Sequence, residues 1–135
     1  MRLVLDTNIF ISSLNFGGTP DLIMKEVYDG KIEVVISNEI LDELGKVLKD
    51  KFNWEDSKIL EARRNLEQLC VQVDPKLKIA TVLKDPSDNK ILECAAEGKV
   101  DYIITGDRKH LLPLKKFQGI PIMSPQEFLK EVFYN

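Results

Sequence analysis

A chain of 135 residues lies in the size range of one compact domain, and 44% hydrophobic with 30% charged residues excludes a disordered or collagen-like polymer. A net charge of −3 and an isoelectric point near 5.3 argue against recognition of polyanions through a broad basic face. Charges recur too often for about 20 apolar residues to accumulate, and Asp6 and Asn8 interrupt the opening apolar run before a signal peptide can form. The expectation is a cytoplasmic protein with no membrane partner.

In chain order, the first predicted element is a buried strand, Leu3 to Leu5, stopped at Asp6. Thr19-Pro20-Asp21 then reads as a helix start, with Thr19 as N-cap and Pro20 in the first helical position, ahead of Leu22, Ile23, Val27 and a stop at Gly30. Val34 to Ile36 is a second apolar strand ending at Ser37-Asn38. Helices are predicted from Asn38 to Lys49 and from Asp56 to Leu69, followed by a weaker strand from Val71 to Val73. A helix from Ser87 to Glu97 leads to the strand Tyr102 to Ile104, which ends at Thr105-Gly106-Asp107. The last pair is the strand Ile120 to Met123 and a helix from Pro125 to Phe133.

Short, fully apolar strands alternating with helices predict the α/β class: one domain over residues 1–135, with a parallel sheet of four to five strands covered by helices on both faces. Cys70 and Cys94 lie amid apolar neighbours, which suits buried reduced thiols better than a disulfide or a zinc site.

In such sheets ligands bind beyond the carboxyl ends of the strands, where neighbouring connections diverge. Asp6 ends the first strand and Asp107 follows the Tyr102 strand after Gly106, so adjacent strands would bring the two carboxylates together. On the helix from Asn38, Ile40, Leu41, Leu44, Val47 and Leu48 form the apolar arc. Glu43 falls at its border, whereas Glu39 and Asp42 lie farther toward solvent.

Asp85 precedes Pro86, which suits an N-cap, and Asp88 is third in that helix, in line with buried Leu92 and Ala95. Each acid also has an ordinary reading: a turn at Asp6, a solvated Glu43, a capping box at Asp88, a cap on a short helix through Arg108 to Leu112 at Asp107. Four carboxylates converging on one crevice would resist ionisation unless a cation lay among them, and oxygen ligation favours Mg2+ or Mn2+ over zinc.

Four segments, Val4-Leu5-Asp6-Thr7-Asn8, the run from Ser37 to Leu44, Asp85-Pro86-Ser87-Asp88-Asn89 and Ile103-Ile104-Thr105-Gly106-Asp107, occur in an order that resembles the PIN-domain family. The likeness is to its prokaryotic branch of VapC-related toxin components of toxin-antitoxin pairs. The resemblance implies a three-layer α/β/α fold and metal-dependent cleavage of RNA to 5′-phosphate and 3′-hydroxyl ends.

Asp6, Glu43, Asp88 and Asp107 match the family's acidic positions, and Asn8 and Thr105 match polar positions that orient the site. Asp85 is an additional polar candidate. The family also implies a homodimer and a cognate antitoxin protein.

Basic residues near the acids, Lys90, Arg108 and Lys109, are candidates for phosphate contacts. A mechanism using two imidazoles is closed, because His110 is the only histidine; it reads as a surface or substrate-contact residue rather than a catalyst. There is no P-loop glycine pattern, and Asn8 stands where aspartate-based phosphotransferases carry a second Asp. The remaining alternative is a noncatalytic RNA-binding or protein-interaction module with the same fold.

Overall fold

The computed structural model describes residues 1–76, 78 and 86–135. Leu3, Val4 and Leu5 have no solvent exposure, as a run apolar on both faces requires. They form β1 (Arg2–Leu5), followed along the chain by β2 (Glu33–Ser37), β3 (Val71–Val73), β4 (Tyr102–Ile104), β5 (Lys116–Phe117) and β6 (Ile120–Met123). The sheet order is β3-β2-β1-β4-β6-β5, with all pairings parallel except β5 against β6. Leu3 pairs with Val34 on one side and with Tyr102 on the other.

The helices are α1 (Thr7–Asn15), α2 (Gly18–Tyr28), α3 (Asn38–Phe52), α4 (Asp56–Leu69), α5 (Pro86–Gly98) and α6 (Pro125–Phe128), the last continuing as a π-helical turn over Leu129–Phe133. Together they give the three-layer α/β/α arrangement. Among the described residues no helix is long and apolar enough to cross a membrane.

Several expectations need correction. Thr19 is not an N-cap: α2 begins at Gly18, with Gly17 in the capping position, because both glycines adopt positive φ (76° and 71°) and turn the chain earlier than the proline does. Helix α1 was not expected, since Ile9, Phe10 and Ile11 follow β1 without a breaker. α3 runs three residues past Lys49 and stops at Asn53, which takes the left-handed conformation. β5 adds a two-residue antiparallel edge to the expected parallel strands.

Two local features fix the layers. Ser37 ends β2 and caps α3, its Oγ accepting the Ile40 N–H at 3.3 Å, so strand and helix join without a loop. At Gly98 an added Cβ would lie 2.6 Å from Val35 Cγ1, so α5 packs on β2 at a separation that only glycine permits.

The connectivity sets the position of the site. From β1 the chain moves outward through β2 to β3, then crosses back to place β4 on the other side of β1. The carboxyl ends of β1 and β4 therefore flank the switch point, where connections leave in opposite directions and a crevice opens.

Candidate active site

Asp6 is the first residue beyond β1, and its N–H still donates to the Ile104 carbonyl at 2.9 Å, extending the ladder by one step. The side chain is buried, with the residue 6% exposed. Thr105, wholly buried beyond β4, donates from Oγ1 to Asp6 Oδ2 at 2.7 Å. Burial pushes the Asp6 carboxyl above its ordinary value; the Thr105 hydrogen bond opposes this, and the nearby charges of Asp107 and Glu43 push it further up. An acid at this position carries its charge cheaply only with a cation nearby.

Asp107 has a different environment. Its N–H donates to Thr105 Oγ1 at 2.9 Å, so one hydroxyl ties the two acids together. Asp107 Oδ1 accepts the N–H groups of Lys109 at 2.9 Å and His110 at 3.1 Å, and its carbonyl accepts Leu112 N–H at 2.9 Å. The ordinary cap-like role is thus met by one oxygen, although residues 108–111 form a turn and a 3-10 helix follows only at Leu112–Leu114. Partial burial pushes the Asp107 carboxyl up, but the two backbone donors and the His110 imidazole outweigh it and hold the acid below its ordinary value.

The other two acids come from helices. Glu43 is half-buried on α3 and accepts a hydrogen bond from Thr7 Oγ1 at 2.9 Å, whereas Asp42 is exposed and paired with Arg63. Glu39, expected farther toward solvent, is half-buried like Glu43 and pairs with Lys78 at 3.9 Å. Asp88, 8% exposed, turns inward from the first turn of α5, as its phase with Leu92 requires.

The four acids adjoin in a chain: Glu43 and Asp107 both act electrostatically on Asp6, and Asp107 faces Asp88 across His110. His110 Nδ1 lies 3.4 Å from Asp107 Oδ2 and 3.9 Å from Asp88 Oδ2. Donor atoms of Asp88, Asp107 and His110 all fall within 4.8 Å of one another. A donor set of carboxylate oxygens with one imidazole suits a divalent cation.

Of the supporting residues, Thr105 holds both strand-end acids, Asn8 is exposed at the start of α1, and Asp85 lies outside the described residues. Arg108 and Lys109 are exposed on the Asp107 turn, and Lys90 is half-buried on α5. Two clefts flank the acids. One of about 300 Å³ lies between α3 and α5, bordered by Glu39, Glu43, Lys46, Ser87 and Lys90. The other, about 200 Å³, is bordered by Asn8, Ser12, Gly106, Arg108, Ser124 and Gln126.

Sequence reasoning missed Thr7 as the partner of Glu43 and the closeness of His110 to two acids. Thr7 follows Asp6 directly, a usable clue; the position of His110 depends on the turn that Asp107 itself closes.

A family model described as PIN domain matches residues 2–109 and so covers all four acids. No curated protein matches the chain.

Proposed function

The chain belongs to the PIN-domain family, whose members are commonly nucleases that use divalent metals, and from this premise we propose that it is a magnesium- or manganese-dependent ribonuclease acting as a single domain. The observation that carries this reading is the convergence of Asp6, Glu43 and Asp107, with Asp88 alongside, on the switch-point crevice, at a cost in charge that a cation would offset.

Asp6 and Asp107 would hold the ion directly, and Glu43 and Asp88 directly or through water. When bound, magnesium or manganese supplies an acidified water and neutralises charge on the phosphate and leaving oxygen. The chain's own part is positional. Thr105 fixes the Asp6 carboxylate and Thr7 orients Glu43; Arg108 and Lys90, which border the flanking clefts, and the exposed Lys109 would hold the phosphodiester backbone. Hydrolysis would leave 5′-phosphate and 3′-hydroxyl ends.

The decisive test is cleavage of single-stranded RNA by purified protein with manganese and with excess chelator. Activity should vanish with chelator, and undiminished cleavage there would reject the mechanism. The resemblance to VapC-related proteins supports a role as the toxin of a toxin-antitoxin pair and assembly as a homodimer. Expression should then arrest growth in the parent but not in Asp6→Asn, and a monomer by sedimentation at working concentration would remove the dimer.

A further inference from the structure

We infer that His110 is a nitrogen ligand of the cation site, and that it biases the site toward manganese and other borderline ions over magnesium. This rests on reading the acids as a cation site, but it concerns a residue outside the acidic set.

The backbone of His110 is fixed by the same carboxylate that its ring faces. Asp107 Oδ1 takes the His110 N–H, while Asp107 Oδ2 lies 3.4 Å from His110 Nδ1. Leu111, with no solvent exposure, anchors the next position of the turn in the core. The ring is therefore delivered to the acids by local structure, although 53% of its side-chain surface remains exposed.

The distances are those of a loose ion pair and also leave room for a shared ion. At 3.4 and 3.9 Å the nitrogen is farther from both oxygens than in a normal N–H···O hydrogen bond. Ligand atoms at about 2.1 Å from one octahedral ion lie about 3 Å apart when adjacent and about 4 Å apart when opposite. Three donors within 4.8 Å of one another can close onto one ion with small side-chain adjustments.

Imidazole contributes little to magnesium, which demands near-ideal oxygen coordination and sheds water reluctantly, whereas cobalt, nickel and zinc accept nitrogen readily; manganese also favours oxygen, but as a transition ion it gains more from an imidazole than magnesium does. The carboxylates alone would leave the choice to ion supply; His110 would add a preference. Because the chain has a single histidine, any imidazole signal on a bound ion has only one source.

The test is pulsed electron paramagnetic resonance on the full chain, free of any histidine tag and loaded with Mn2+, read for spin-echo modulation from a directly bound nitrogen. The parent should show it, the pattern should change in protein grown on histidine enriched in the heavy nitrogen isotope, and His110→Gln should lose it. The variant should also bind Mn2+ at least about tenfold more weakly while its Mg2+ affinity stays within about twofold. Bound Mn2+ without nitrogen modulation, or equal losses for both ions in His110→Gln, would overturn the role of His110 and leave the acidic site standing. Failure of the parent to bind Mn2+ at all would overturn both this inference and the proposed function.

Discussion

Asp6 and Asp107 follow neighbouring strands, share the hydroxyl of Thr105, and yet sit in opposite electrostatic conditions. At the end of β1 the acid is buried beside other acids and its charge is costly. At the end of β4 the acid is partly exposed and held by two backbone N–H groups that favour the charge. One region makes a negative charge costly, while the other favours the charge and orients the carboxylate that carries it. The pair separates what a site must hold from what holds it.

The largest expected effect is on cleavage. Asp6→Asn and Asp107→Asn should each lower the rate of RNA hydrolysis by at least about 100-fold, measured with saturating manganese. Retention of rate in either variant would show that the two strand ends are not equivalent in the reaction.

The next contrast is in stability, measured by thermal melting in chelator, and here the two acids should respond with opposite sign. Asp6→Asn should melt no lower than the parent, because it removes a charge that burial disfavours. Asp107→Ala should lose about 0.5 to 2 kcal/mol, because two N–H groups of the turn lose their acceptor.

Their pH dependences oppose each other too. With its folded value raised, Asp6 binds its proton more tightly in the folded chain, so stability falls as pH rises from the ordinary carboxylate value through the raised one. With its folded value lowered, Asp107 adds stability above the ordinary value, and this is lost as pH falls through the lowered one. Asp6→Asn should abolish the first slope and spare the second.

Smallest is the effect of Arg108 and Lys109, exposed charges at the rim of the turn. Replacing both with alanine should weaken RNA binding and flatten its salt dependence by a slope of about 1 to 2, leaving manganese binding intact. Unchanged RNA affinity would remove them from the substrate path.

Much of this arrangement is legible in sequence. The strands β1, β2, β4 and β6 announce themselves as short apolar runs, and Asp6 and Asp107 as polar residues just beyond two of them. Helical phase separates Glu43 from the exposed Asp42, but not from Glu39, which is half-buried as well. What escaped depends on tertiary contact.

α1 begins directly after Asp6, without a side-chain cap, and its early apolar cluster has no simple amphipathic spacing. β5 is a strand only because Lys116 and Phe117 pair with Pro121 and Ile120 across a turn with Gly119 at positive φ. His110 lies at the surface as expected, but its closeness to Asp107 and Asp88 is not written in the spacing and arises only when two N–H groups fold back onto the Asp107 carboxylate.

The hydrogen bond between Thr105 and Asp6 spans 99 positions along the chain. Closing so large a loop is slow compared with forming a helix or a hairpin, and it must wait until both ends exist. During synthesis β1 would emerge without its neighbour β4, and Asp6 would remain without Thr105 and Asp107 until more than a hundred residues had been joined. The crevice between the two strand ends thus cannot close until β4 has been made, and incomplete chains ending before β4 would carry only part of it.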